Sequence, residues 1–200
     1  MKSILIVISL LVSGLAYGQT AEEYREKGYS KLNKADFKGA IADYNNAIWL
    51  GLNDAFSYHN RGVAKNALDD HIGAIADFTK AIELDPSSSA YYKRGTIKGY
   101  LGDHRGAIAD FTNAIKLHPN NNVWIYEARG RAKNALDDHI GAIADFTKAI
   151  ELNPYNSTSY YNRGTSKIKL GQKDDGCMDL SKAGELGLYE AYNAIQKHCN

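Results

Sequence analysis

The chain repeats itself. Residues Ala64 to Leu84 read AKNALDDHIGAIADFTKAIEL, and the same 21 letters return at Ala132 to Leu152, 68 positions later. Sixty-eight is twice 34, and a period between 20 and 50 residues belongs to stacked arrays of one supersecondary unit. Shorter echoes mark the half-period. Gly28, Gly62, Gly95, Gly130 and Gly164 lie 34, 33, 35 and 34 residues apart, each four residues after Tyr24, Tyr58, Tyr91, Tyr126 or Tyr160. Twelve residues beyond the glycines stand Ala40, Ala74, Ala107, Ala142 and Gly176, followed by Tyr44, Phe78, Phe111, Phe146 and Leu180. Pro86, Pro119 and Pro154 close the three middle copies.

Each copy reads as two helices joined by a tight turn. In the second helix Ala74, Phe78, Ala81 and Ile82 fall on one stripe, which must be buried. In the first, Tyr and Gly sit one turn apart, and the Gly admits close approach of the partner helix. Asp36, Asp70, Asp103 and Asp138 precede the second helices, where a carboxylate accepts free backbone N–H groups and offsets the helix dipole. Thr20-Ala21-Glu22-Glu23 has the capping-box pattern for the first helix. The prolines stop each second helix, having no N–H to continue it.

These intervals of bulky residue, Gly, Ala, aromatic, Ala and Pro resemble the tetratricopeptide repeat (TPR) family over about residues 21 to 187. The resemblance implies an all-α, right-handed α-solenoid of about five helix-turn-helix repeats at 21–54, 55–87, 88–122, 123–156 and 157–187, within a domain spanning 19–187. The end copies depart from the pattern: Leu52 and Leu188 replace the terminal Pro, and Gly176 and Leu180 replace the small and aromatic core residues, as terminal units of a stack do. Residues 188–200 read as a C-terminal capping helix with Leu188, Tyr192 and Ile195 on its apolar stripe.

Met1-Lys2-Ser3 carries one positive charge, an apolar run from Ile4 to Val12 follows, and small residues end at Ala16-Tyr17-Gly18. That is the form of a signal peptide, residues 1–18, cleaved after Gly18 and too short to span a bilayer. The expected product is exported, periplasmic or secreted, without membrane insertion. Without Lys2 the 24 basic residues become 23, equal to the 23 acidic ones. A neutral balance argues against nucleic acid, which requires surplus Lys and Arg.

Cys177 and Cys199 fall in the last two helices of an exported chain, and we expect a disulfide between them, contributing about 3 kcal/mol by loop entropy. A metal site from Cys177, His198 and Cys199 lacks an evident fourth ligand. His71, His104 and His139 recur in one turn of the central copies, but successive units stand about 10 Å apart, too far to share an ion. They read as turn residues. Arg61, Arg94, Arg129 and Arg163 precede the glycines, and Asp43, Asp77, Asp110, Asp145 and Asp179 recur in the second helices. An ion-pair ladder is their expected use, treated as exposed pairs of about 0–1 kcal/mol each. No G-x-S-x-G, Gly-rich phosphate loop, H-E-x-x-H or C-x-x-C occurs, so neither enzyme activity nor a cofactor is expected. The sequon at Asn156-Ser157-Thr158 is uninformative.

In the family resembled, first helices line the concave face. Carried over, this places Arg25, Tyr29, His59, Val63, Tyr92, Thr96, Glu127, Arg131, Tyr161 and Thr165 in the groove, flanked by Asn66, Trp124 and Asn134. These positions differ between most copies where the core positions do not. Aromatic residues and Arg suit peptide recognition. The expectation is a non-catalytic scaffold binding a peptide or protein in the groove. The alternative is a glycan or cell-wall binder stacking on Tyr92, Trp124 and Tyr161. Some relatives clamp a C-terminal carboxylate with Lys and Asn. Here Arg25, Asn60 and Lys93 are present, but Tyr29 and Ser89 stand where the set would be completed.

Overall fold

A computed structural model describes residues 19–118 and 122–199. The leader at 1–18 and Pro119 lie outside the described residues. Among those described, regular structure is helical throughout, in two compact units. The first, up to Leu84, holds α1 (Ala21–Asn33), α2 (Phe37–Trp49), α3 (Ala55–Ala67) and α4 (His71–Leu84). The second, from Asp85, holds α5 (Ser88–Tyr100), α6 (His104–Leu117), α7 (Val123–Asn134), α8 (His139–Leu152), α9 (Ser157–Lys169), α10 (Lys173–Glu185) and α11 (Glu190–His198). Consecutive helices pack in pairs, α1 with α2 and α3 with α4, then α5 with α6, α7 with α8 and α9 with α10. Within each unit the second helix of a pair also packs on the first helix of the next. No helix of the described residues is long and apolar enough to cross a membrane.

One turn is built five times. After α3, Asp69 N–H donates to Asn66 O and Asp70 N–H to Lys65 O, at 3.1 and 3.0 Å, which is the Schellman pattern that satisfies the last carbonyls of a helix. Asp70 then caps the next helix, its Oδ1 accepting from Gly73 N–H at 2.9 Å. A single residue thus finishes one helix and starts another, leaving no slack between them. Asp36, Asp103 and Asp138 do the same, accepting from Gly39, Gly106 and Gly141. In the last pair Gln172 stands there and makes no side-chain cap. The residue before each cap is left-handed: Ala35, Asp69 and Asp137 at φ 59°, 62° and 58°, and Gly102 and Gly171 at 86° and 80°.

Second helices stop by two devices. α4 and α8 end two residues before Pro86 and Pro154. Where the sequence has Leu52 and Leu188 instead of Pro, Gly51 and Gly187 turn left-handed at φ 98° and 91°, and Leu52 and Leu188 N–H groups bond back to Ala47 O and Ala183 O. Glycine does there what proline does elsewhere.

The core of each pair is an aromatic ring laid on a helix backbone. A Cβ at Gly28, Gly62, Gly95 or Gly130 would lie 3.1, 3.2, 3.0 or 2.8 Å from the ring of Tyr44, Phe78, Phe111 or Phe146. In the α9–α10 pair the ring is gone, and a Cβ at Gly164 would meet the carbonyl oxygen of Gly176 at 2.7 Å, backbone against backbone.

The ion-pair ladder is present but buried, which corrects the expectation of exposed pairs. Asp77, Asp110, Asp145 and Asp179 are buried, and each takes a two-pronged hydrogen bond from Arg61, Arg94, Arg129 or Arg163, with distances of 2.6 to 3.0 Å. Lys65, Lys98, Lys133 and Lys167 add a second cation at 2.8 or 2.9 Å. Each Arg also lies over the Tyr three residues before it, 5.2 to 5.7 Å from the ring centre. Arg61, Arg129 and Arg163 reach onward to Asn45, Thr112 and Thr147 on the preceding pair. Removing one partner from such a site costs about 3–5 kcal/mol, because a buried charge is left behind. The first pair has Lys27 where the others have Arg, and among the described residues the cation on Asp43 is Lys31, at 2.7 Å.

At the C-terminal end α11 packs on α10, with Cys177 and Cys199 at disulfide distance and their Cα atoms 5.8 Å apart. Its buried residues are Ala191 and Ala194, not Tyr192, which is half exposed and lies over Gly184. Small residues face α10 because the two helices must come close enough for the sulfurs to meet.

Three substitutions test this geometry. Asp137→Gly should stabilise the protein by about 0.5–1 kcal/mol in urea denaturation, and Gly102→Ala should destabilise it by a similar amount, since side chains are disfavoured in left-handed backbone. Tyr44 is fully buried with no hydrogen-bond partner for its hydroxyl, and burial pushes its phenol well above the ordinary range. Tyr44→Phe, which matches Phe78, Phe111 and Phe146, should therefore raise stability by about 1 kcal/mol in the same assay.

Candidate functional site

In the first unit, most of the expected groove residues are occupied by other side chains of the same unit. Arg25 pairs with Glu22 and Glu26 at 2.6 and 3.0 Å and lies 5.6 Å from the ring centre of Phe56. Tyr29 meets the same ring at 5.5 Å. His59 packs edge-on to Phe78, Val63 is half-buried, and Asn66 Oδ1 lies 3.0 Å from His71 Nδ1. Asn60, a member of the incomplete clamp, donates to Phe56 O in its own helix. With Arg25 already neutralised and the Asn60 amide spent on a carbonyl of its own helix, two of the three groups of the carboxylate clamp are engaged elsewhere.

The second unit is different, and comparison of its pairs shows why. Between α7 and α9, Asn134 Nδ2 donates to Ser166 Oγ at 2.7 Å, while Asn134 Oδ1 lies 2.9 Å from His139 Nδ1. These three side chains fill the space between neighbouring first helices. One repeat earlier the corresponding residues are Gly99, Ala132 and His104. The amide and the hydroxyl are both missing, and a cavity of about 340 Å³ stands there, lined by Tyr92, Thr96, Gly99, Tyr100, His104, Phe111, Ala128, Arg131 and Ala132. The rings of Tyr92 and Phe111, with centroids 5.9 Å apart, form one aromatic wall.

Arg131 gives the cavity its charge. Arg129, two residues earlier, is locked on Asp145, but Arg131 is exposed and makes no ion pair or hydrogen bond among the described residues. Glu127, one turn before it, does not neutralise it. Its carboxylate is buried, only 4% of the residue being exposed, and accepts from Asn156 Nδ2 at 3.2 Å. Glu127 was expected open in the groove and instead belongs to the contact of α7 with the start of α9. Of the remaining residues, Tyr92 and Thr96 share the cavity with Arg131, although Thr96 Oγ1 is spent on Tyr92 O. Trp124 is 63% exposed, while Tyr161 and Thr165 are half-buried, Thr165 donating to Asn162 O.

The sequence reasoning missed Gly99, Tyr100, His104 as a lining residue, and Ala132. Its signal was available, for Asn66 and Asn134 recur at one position with Gly99 standing between them.

Family models for the tetratricopeptide repeat match residues 57–88, 88–121 and 125–156, and a second such model matches 146–177. No curated protein matches the sequence. Among solved structures, a crystal structure of MamA is similar with a TM-score of 0.76 at 26% identity, over 80% of this chain and 93% of that one. YrrB, described as a TPR protein with an unusual peptide-binding site, gives 0.82 at 19% identity over 88% and 92%. MamA 41-end from Desulfovibrio magneticus RS-1 gives 0.78 at 20% identity over 84% and 96%.

Two neighbouring arginines on α7 should behave oppositely. Arg129→Ala should cost about 3 kcal/mol in urea denaturation by stranding part of the charge on Asp145. Arg131→Ala should change stability by less than about 0.5 kcal/mol, as an unpaired surface side chain does.

Proposed function

Because the chain belongs to the tetratricopeptide repeat family, we propose that it is a non-catalytic scaffold holding a peptide or protein partner on the first-helix face of its second unit. The observation that carries this reading is Arg131, a charge the fold does not use, opening on the same cavity as Tyr92 and Thr96. Repeat arrays hold their own elements together with repeated residues, and these three positions are among those that change from copy to copy. A guanidinium free of partners recruits a carboxylate, and tyrosine rings bury large area at little entropic cost. YrrB, similar in fold, is described by its peptide-binding site. The partner is met outside the cytoplasm, a setting supported by the leader-like sequence of residues 1–18 and by two cysteines at disulfide distance.

The exposed Trp124 favours a second reading, a glycan stacked on that ring. Affinity capture separates the two. Residues 19–200 serve as bait in a cell-envelope or culture extract, beside a folded variant carrying Tyr92→Ala, Arg131→Ala and Tyr161→Ala. A protease-sensitive species held by the parent and lost from the variant is the expected result. Equal retention by both would refute the groove face, and loss only after glycosidase treatment would favour the glycan.

A further inference from the structure

The cavity beside Arg131 has a definite shape, and shape restricts what it can take. It exists because Gly99 and Ala132 replace the Asn134 and Ser166 that close the equivalent space one repeat later. The rings of Tyr92 and Phe111 line it beside the small residues Gly99, Ala128 and Ala132. Its volume is at the low end of the roughly 300–1,000 Å³ usual for ligand pockets, room for one large side chain with its flanking backbone. Among the described residues that line it, the charged side chain is Arg131, since Glu127 is turned away into the α7–α9 contact.

We infer that this cavity is a pocket for one large apolar side chain of a bound polypeptide, whose neighbour in that polypeptide is an internal aspartate or glutamate held by Arg131. The inference rests on the reading of a polypeptide on the first-helix face and adds to it the sequence character of the partner. The apolar side chain leaves water for the aromatic wall. The carboxylate meets a planar, unpaired guanidinium that can bind both of its oxygens. The equivalent place beside Asn134 is filled by protein side chains, so within the second unit this anchor differs from its neighbour and fixes the register of the bound chain.

The pocket can be closed with the protein's own parts. A Cβ at Gly99 would have only Ala107 Cβ near it, at an ordinary 3.6 Å, so Gly99→Asn with Ala132→Ser can rebuild beside His104 the network already present beside His139. Binding is measured by fluorescence polarisation with labelled ten-residue peptides blocked at both ends, carrying Leu-Glu, Leu-Gln or Ala-Glu between glycine-serine flanks. Residues 19–200 should prefer Leu-Glu over each of the others by about tenfold, the discrimination given by one charge-assisted contact or one filled apolar pocket. Gly99→Asn/Ala132→Ser, with an unchanged melting curve, should lose the preference for Leu over Ala and keep that for Glu over Gln. Arg131→Ala should do the reverse. Equal binding of all three peptides, retention of the Leu preference by the closed pocket, or binding only when the peptide's C-terminus is free would overturn the inference. If no blocked peptide binds while the extract still yields a protein lost from the triple variant, the pocket assignment fails and the polypeptide-binding reading survives.

Discussion

A carboxylate buried in the second helix of each pair is the constraint on which the rest of the structure depends. Asp77, Asp110, Asp145 and Asp179 cannot remain inside the protein without cations, and the first helix of the same pair supplies two, an Arg and a Lys one turn apart. Because the Arg makes two parallel bonds, it fixes rotation as well as distance. That rotation decides which side of the first helix is left over. Several of the residues after each Tyr and Gly, Arg131 among them, are left outside this buried pairing, and their identities are free to vary.

Much of this was legible in the letters. In the first four pairs the Asp before the second helix is a cap in the structure, and the Gly of the first helix lies under the ring expected for it. Periodic residues carry their meaning because the same environment is rebuilt at every turn of the array. Burial of the ladder was not legible, since Arg and Asp at fixed spacing look alike whether water reaches them or not. Only packing of the Tyr rings and flanking helices removes the solvent. Glu127 failed for a related reason: its place in the repeat is a groove position, but Asn156 reaches back across the helix pair and draws the carboxylate in. The cavity escaped because it is an absence. Gly99 and Ala132 are small residues in a helix, and what matters is that Asn134 and Ser166 occupy the same two places elsewhere.

Identical sequence does not produce identical surroundings. The block that forms the end of α3 and all of α4 returns as the end of α7 and all of α8, with the same caps and the same left-handed Asp. Its Asn134 has Ser166 across from it on α9, a partner that lies outside the duplicated letters. Duplication copies the scaffold of a pair, while the contacts a pair makes with its neighbours must be supplied by each neighbour.

The two ends of the chain are unequally secured, and this gives unfolding a direction. Repeat units are held in place by contacts with their neighbours, so a weakly held pair opens before the rest. At the C-terminal end α11 packs on α10, with Cys177 and Cys199 at disulfide distance. At the other end the first pair lacks the arginine its fellows have, relies on Lys31 for Asp43, and buries a hydroxyl in Tyr44 with nothing to bond to. Amide exchange would thus be faster in α1 and α2 than in the helices around Arg131, which keep their shape when the first pair frays.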